Sequence, residues 1–182
     1  MRVLIVGCER SGTKLLADKI GLNRSLGVVY ENKHTIASFK YQQELNRWNK
    51  YEDSLSPTTF TYSTEKHSLN LEINIDFLMW VKKRFPDVEI HYMVRNGLDV
   101  VSSMTNRTWG NSQTGSIYEM DVRSACSQWN YVINKTWFWA HRYCTIHRYE
   151  DYSNVVRTPL SDTSLKVAKE LLKENLKLTG YA

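Results

Sequence analysis

The first 22 residues constrain the fold most, because they predict a buried strand, a glycine-bounded turn and a helix in direct succession. Residues 2–6 are a short apolar run typical of a buried strand. Gly7 and Gly12 bound the turn, and the apolar residues of 13–22 recur at helical spacing. Such a turn points backbone N–H groups and the positive end of a helix dipole at one place. The segment therefore predicts an anion site after the first strand.

The rest of the chain continues this alternation of strands and helices. Alternating elements are typical of an α/β fold. The pattern predicts one domain over residues 1–182, whereas residues 34–60 fit no element pattern. The further strands are expected at 27–30, 62–65, 88–94 and 143–147, and the further helices at 70–85, 97–105, 117–140 and 164–178.

Charge narrows the class of partner. The 182 residues carry a formal net charge of +5, which favours an anionic partner such as a nucleotide or a phosphate or sulfate ester. The basic residues are spread along the chain, so the charge does not indicate nucleic acid and we expect none as a partner. No run of about 18 apolar residues occurs, so we expect no membrane partner.

The compartment follows from the start of the chain and from its cysteines. The first apolar run is too short for a signal peptide, which predicts a cytoplasmic protein. Cys8, Cys126 and Cys144 are widely spaced, which argues against a disulfide framework and against a zinc site.

Three anion-binding chemistries compete for the first turn. A Walker-type P-loop places lysine directly after its second glycine, but Thr13 follows Gly12 and Lys14 comes one residue later. A phosphatase loop needs a cysteine nucleophile and a closing arginine, whereas Lys14 stands at the sixth position after Cys8. The third chemistry is a loop that binds a 5′-phosphosulfate.

The loop sequence supports the third chemistry. Residues 7–16 read GCERSGTKLL. They resemble the 5′-phosphosulfate loop of the sulfotransferases that use 3′-phosphoadenosine 5′-phosphosulfate (PAPS), in the RSG(S/T) version of carbohydrate and bacterial members. The resemblance implies a three-layer α/β fold, with a mostly parallel central sheet flanked by helices and similar to P-loop NTPases. It also implies PAPS as co-substrate, no required metal, and donor binding by Gly7, Arg10, Ser11, Gly12, Thr13 and Lys14.

A second segment resembles the 3′-phosphate motif of the same family. Arg95 directly follows the strand predicted at 88–94, and Ser103 stands eight residues further on. Open parallel sheets bind ligands at the carboxyl ends of their strands. The resemblance therefore implies that Arg95 and Ser103 bind the 3′-phosphate, with Asp99 as a helix cap or a partner of Arg95.

Two further segments occur in the family's order. Residues 148–152, RYEDY, resemble the RYEDL segment that follows a late core strand. Residues 64–68, TEKHS, are a weaker match to the EK(S/T)P segment, with His67 in place of a small residue.

The resemblance implies transfer of a sulfuryl group from PAPS to a hydroxyl or amine of a small-molecule or glycan acceptor. Arg10 would stabilise charge only, because a guanidinium does not give up its proton. An acceptor hydroxyl needs a general base, for which Glu31 is the first choice and His34 and His67 are alternatives. Two other functions stay open, a P-loop-like nucleotide kinase or NTPase and a non-catalytic nucleotide-binding module.

Overall fold

A parallel sheet forms the centre of the protein in the computed structural model, which describes residues 3–30, 58–64, 82, 86–110, 117–155 and 159–182. The strands are β1 (Val3–Cys8), β2 (Gly27–Tyr30), β3 (Thr58–Thr64), β4 (Glu89–Val94), β5 (Thr108–Gly110), β6 (Ile117–Glu119) and β7 (Thr145–Arg148). The first strand is central in the sheet, which has the order β2-β3-β1-β4-β7. The turn after β1 therefore opens between the ends of its two neighbours, β3 and β4. The helices are α1 (Thr13–Arg24), α2 (Gly97–Thr105), α3 (Val122–Tyr143) and α4 (Asp162–Thr179).

Helices cover both faces of this sheet. Alternate residues of β1 point to opposite faces, as the geometry of a strand requires. Leu4 and Val6 pack in the core that includes α2, α3 and α4, whereas Val3 and Ile5 pack against α1. The protein therefore has three layers, and the predicted α/β fold with a mostly parallel central sheet is confirmed.

The predicted helix over 117–140 is wrong at its start. Ile117–Glu119 is instead β6, which pairs antiparallel with β5. The helix begins at Val122, because the Asp121 carboxylate accepts a hydrogen bond from the Ser124 backbone N–H at 2.9 Å and caps the first turn. The strand predicted at 143–147 begins two residues later, at Thr145, since α3 continues to Tyr143.

The elements around the first turn and Arg95 lie where the sequence predicts them. α1 begins at Thr13, and α2 covers Gly97–Thr105. Helical spacing predicts that Trp129, Trp137 and Trp139 of α3 lie in the core. Trp129 and Trp137 are buried there, whereas Trp139 is only half-buried. The segment 34–57 and the helix predicted at 70–85, except residue 82, lie outside the described residues.

The structure also describes the three cysteines and the apolar character of the helices. Cys8, Cys126 and Cys144 are free thiols. Within the described ranges, no helix has the length and apolar character that a bilayer crossing requires.

Candidate functional site

The turn between β1 and α1 is a tight backbone loop. Arg10 and Gly12 adopt left-handed conformations, with φ of 64° and 97°. The Ser11 backbone N–H donates to the Cys8 carbonyl at 3.0 Å. Left-handed residues in such a turn bring successive N–H groups to one side, which makes a concave anion site. Gly7 lets the loop lie against β4, because a Cβ there would be 2.5 Å from the Met93 carbonyl oxygen.

The two predicted anion-binding segments meet in the structure. The Arg10 Nε donates to the Ser103 hydroxyl at 3.0 Å, although 93 residues separate the two in sequence. The Arg95 Nη1 donates to the Arg10 carbonyl at 3.5 Å. Arg10, Arg95 and Ser103 therefore belong to one site at the carboxyl ends of β1 and β4.

Arg95 is a buried cation with unused donors. Its side chain is 1% exposed, and its Nη2 lies 3.6 Å from the carboxylate of Asp99, which is 46% exposed. Its Nε and Nη2 have no hydrogen-bond partner within the described part of the chain, and neither has the buried Ser11 hydroxyl. Buried polar groups are normally satisfied, and a guanidinium is well suited to a planar pair of anionic oxygens. These unused donors fit a phosphate or sulfate group.

Tyr149 joins the loop to Arg95. The Arg95 Cζ lies 4.0 Å from the centroid of the Tyr149 ring, a cation–π contact. A Cβ on Gly12 would overlap the same ring. The sequence singled out residues 148–152 as a segment but not this role of Tyr149, because the contact joins residues that are distant along the chain.

Glu9 ties the loop to α3 on the other side. The Gln128 Nε2 donates to the Glu9 Oε2 at 3.1 Å, and both residues are buried. Burial raises the pKa of the Cys8 thiol well above its ordinary value, and the charge of the neighbouring Glu9 carboxylate raises it further. A protonated, buried thiol is a poor nucleophile, so the phosphatase chemistry finds no support in Cys8. Sequence analysis missed Glu9, which matches no motif.

The structure describes three of the remaining predicted residues, Thr13, Lys14 and Asp99, but not the base candidates. Thr13 is buried at the start of α1, whereas Lys14 is exposed on the first turn of that helix. The cap of α2 is Asn96, whose side chain accepts from the Leu98 N–H at 3.0 Å, so of the two roles expected for Asp99 the structure shows only the approach to Arg95. The three base candidates Glu31, His34 and His67 lie outside the described residues, and their roles stay predictions.

Comparison with known proteins gives a likeness of fold. No protein-family model matches the chain, and no curated protein matches it. The YorR protein of Bacillus subtilis, solved in complex with phosphorylated GDP, matches with a TM-score of 0.53 and 9% identity over 98% of each chain. An unliganded sugar kinase from Janibacter sp. HTCC2649 matches with a TM-score of 0.46 and 12% identity, over 100% of this chain and 95% of that one. A de novo designed protein of the PLOOP2X3_50 fold matches with a TM-score of 0.34 and 12% identity, over 98% and 95%.

The likeness to YorR is at too low an identity to indicate more than the fold. The two chains are therefore similar in fold alone, which in this chain is a three-layer α/β fold around a parallel sheet.

Proposed function

We propose that this protein binds a phosphorylated nucleotide at Arg10 and Arg95 and transfers a group from it to a small-molecule acceptor. The observation that carries the proposal is the Arg95 guanidinium, which is buried beside the anion loop. Two of its nitrogens have no hydrogen bond among the described residues, and one of these approaches the Asp99 carboxylate only to 3.6 Å. A buried charge is costly unless it is paired. An anionic ligand would supply the missing acceptors.

The donor that the residues of the site support is PAPS. Thr13 occupies the position of the Walker lysine, and the Lys14 side chain is exposed. Arg95 and Ser103 would bind a 3′-phosphate, while Arg10 and the loop N–H groups would bind the 5′-phosphosulfate. The hydrogen bond between Arg10 and Ser103 supports this assignment, because it joins the residues proposed for the two anionic groups in one site.

A nucleoside triphosphate is the second candidate donor, in a kinase-type reaction. The likeness to solved structures supports this alternative better than it supports a sulfotransferase, since the YorR structure contains phosphorylated GDP. The acceptor would then receive a phosphoryl group at the same place. Both candidates would use the anion loop for the 5′ end of the nucleotide. They differ in that only PAPS offers a 3′-phosphate to Arg95 and Ser103.

The chemistry of sulfuryl transfer would be an in-line displacement. The bond between sulfur and the 5′-phosphate oxygen breaks as a bond from sulfur to the acceptor oxygen forms. The acceptor proton passes to a base, for which Glu31 is our first choice. The charge that develops on the leaving phosphate would be stabilised by the Arg10 guanidinium and by the loop N–H groups.

Thermal unfolding with different nucleotides tests the proposal. The ligands are 3′-phosphoadenosine 5′-phosphate (PAP), ATP with Mg²⁺, and AMP. A ligand at about 100 times its Kd stabilises the folded state by about 2.7 kcal/mol. We expect PAP to raise the melting temperature by several degrees and AMP to raise it less, because AMP lacks the 3′-phosphate. A shift with ATP and Mg²⁺ alone would establish the kinase-type donor instead, and no shift with any nucleotide would refute nucleotide binding.

A further inference from the structure

Tyr181, which follows α4, and Glu150, which follows β7, together contact the backbone on both sides of Arg95. The Tyr181 hydroxyl donates to the Glu150 Oε2 at 2.6 Å. The other oxygen of that carboxylate, Oε1, accepts the Asn96 backbone N–H at 3.1 Å. The Tyr181 hydroxyl also lies 3.5 Å from the Val94 carbonyl oxygen. Two residues far from Arg95 in sequence thus contact the residues before and after it.

Tyr181 is itself held in a defined position. Gly180 ends α4 in a left-handed conformation, with φ of 74°, and the Tyr181 N–H donates to the Leu176 carbonyl at 2.8 Å. The Arg148 guanidinium lies over the Tyr181 ring, with 4.7 Å between its Cζ and the ring centroid. The same guanidinium donates to the Thr179 carbonyl at 2.8 Å. The phenol is therefore placed by the end of a helix and by a stacked cation.

The Tyr181 hydroxyl stays protonated and can therefore act as a constant hydrogen-bond donor. Burial and the neighbouring Glu150 carboxylate raise the pKa of its hydroxyl well above the ordinary value for tyrosine. The hydroxyl consequently keeps its proton at neutral pH and can donate to the carboxylate throughout.

We propose that Tyr181 and Glu150 are positioning residues for Arg95. By fixing the peptide groups next to Arg95, they hold its guanidinium over Tyr149 and towards the anion loop before a ligand arrives. A preorganised donor loses less conformational freedom on binding, and the ligand therefore binds more tightly. The inference rests on the proposed function only where it assigns the nucleotide anion to Arg95.

The test begins with Tyr181→Phe, which removes the hydroxyl and keeps the ring under Arg148. Two effects are expected. Amide hydrogen exchange at Asn96 becomes at least threefold faster, because Glu150 is no longer held in place. The affinity for PAP falls about fivefold, the size expected for one lost hydrogen bond at a half-exposed site. The matched control is Tyr131→Phe, an exposed tyrosine on α3, which should change neither value.

A double-substitution cycle separates positioning from a general structural effect. If Tyr181 acts through Arg95, Tyr181→Phe causes no further loss of PAP affinity in protein that already carries Arg95→Met. An effect that adds fully to that of Arg95→Met would overturn the proposal. So would wild-type exchange at Asn96 together with wild-type affinity in Tyr181→Phe.

Failure of the proposed function is distinguishable from failure of this inference. If the wild-type protein binds neither PAP nor ATP with Mg²⁺, the proposed function is refuted, and exchange at Asn96 alone decides the positioning role. Should Tyr181→Phe not fold, Glu150→Gln replaces it, because an amide has one oxygen and cannot accept at both of the positions that the carboxylate uses. Faster exchange at Asn96 in that variant supports the proposal, and unchanged exchange overturns it.

Discussion

At the scale of single residues, Arg95 combines deep burial with an incomplete set of partners. The neighbouring Asp99 carboxylate is half-exposed, so it stays in contact with water when Arg95 is replaced. We therefore expect Arg95→Met to leave the free energy of unfolding unchanged or to raise it by up to about 2 kcal/mol, because methionine fills the space without burying a charge. Urea denaturation measures this difference.

The control for this prediction is Arg142→Met, the same change at an exposed arginine of α3. It should alter the unfolding free energy by less than about 0.5 kcal/mol. A loss of more than about 0.5 kcal/mol in Arg95→Met would contradict the account, since it would mean that Arg95 contributes to holding the fold together.

The sequence predicts Arg10, Arg95 and Ser103 as anion-binding residues, a role that stays a prediction. The structure brings the three together, because parallel neighbouring strands end at the same edge of the sheet. Tyr149 and Glu9 acquire their places from contacts across the sheet and with α3, and nothing in their local sequence signals such contacts.

At the scale of elements, the start of α2 links helix stability to the site. Asn96 caps α2, and Ser161 caps α4 by accepting the Ser164 N–H at 3.3 Å. Replacing either cap with alanine should cost about 1 kcal/mol of stability. Asn96→Ala should also weaken PAP binding several-fold, because Asn96 adjoins Arg95, whereas Ser161→Ala should leave it unchanged. Urea denaturation and calorimetric titration of both variants measure the two effects, and equal PAP affinities would count against the link.

Elements were predictable where their signals are local. The glycine turn and the apolar spacing placed β1, α1, β4 and α2 to within about two residues. The start of α3 was misplaced because the apolar pattern continues back to Ile117, where pairing with β5 stabilises a short strand instead. That pairing joins two segments of three residues each, which are too short to give a clear periodic signal.

At the scale of the whole molecule, two histidines join the edge strand to the sheet. The Nδ1 of His91 on β4 lies 2.8 Å from the Nε2 of His147 on β7. The His147 Nδ1 lies 2.5 Å from the Tyr152 hydroxyl, and the His91 Nε2 lies 3.4 Å from the Glu89 carboxylate. Burial lowers the pKa of both imidazoles, and for His147 the charge of His91 adds to this effect. Glu89 opposes the shift of His91 without reversing it.

This pair predicts a loss of stability in mild acid. Unfolded histidine takes up a proton near pH 6.5, whereas the folded pair resists it, so the unfolded state binds more protons as the pH falls below that value. The free energy of unfolding, measured in urea, should therefore decrease from pH 7.5 to pH 5.5. His147→Gln should flatten this dependence, and the exposed His141→Gln should not. A dependence that His147→Gln leaves unchanged would exclude the pair as its cause.

The general architecture was predictable at this scale because alternating strands and helices favour a parallel sheet. The order of the strands was not, since β3 lies between β1 and β2 and β4 pairs with β1 from the other side. The strand order depends on which faces of the strands and helices pack together, and the local sequence pattern does not indicate this.

The central claim is that Arg10 and Arg95 form one binding site for a phosphorylated nucleotide. Calorimetric titration of PAP, and of ATP with Mg²⁺, into the wild type, Arg95→Met and Arg142→Met tests it most directly. The account predicts one nucleotide per chain, affinity at least about tenfold weaker in Arg95→Met because charged hydrogen bonds are lost, and no change in Arg142→Met. Binding of equal strength in Arg95→Met and the wild type, or no nucleotide binding by the wild type, would contradict it.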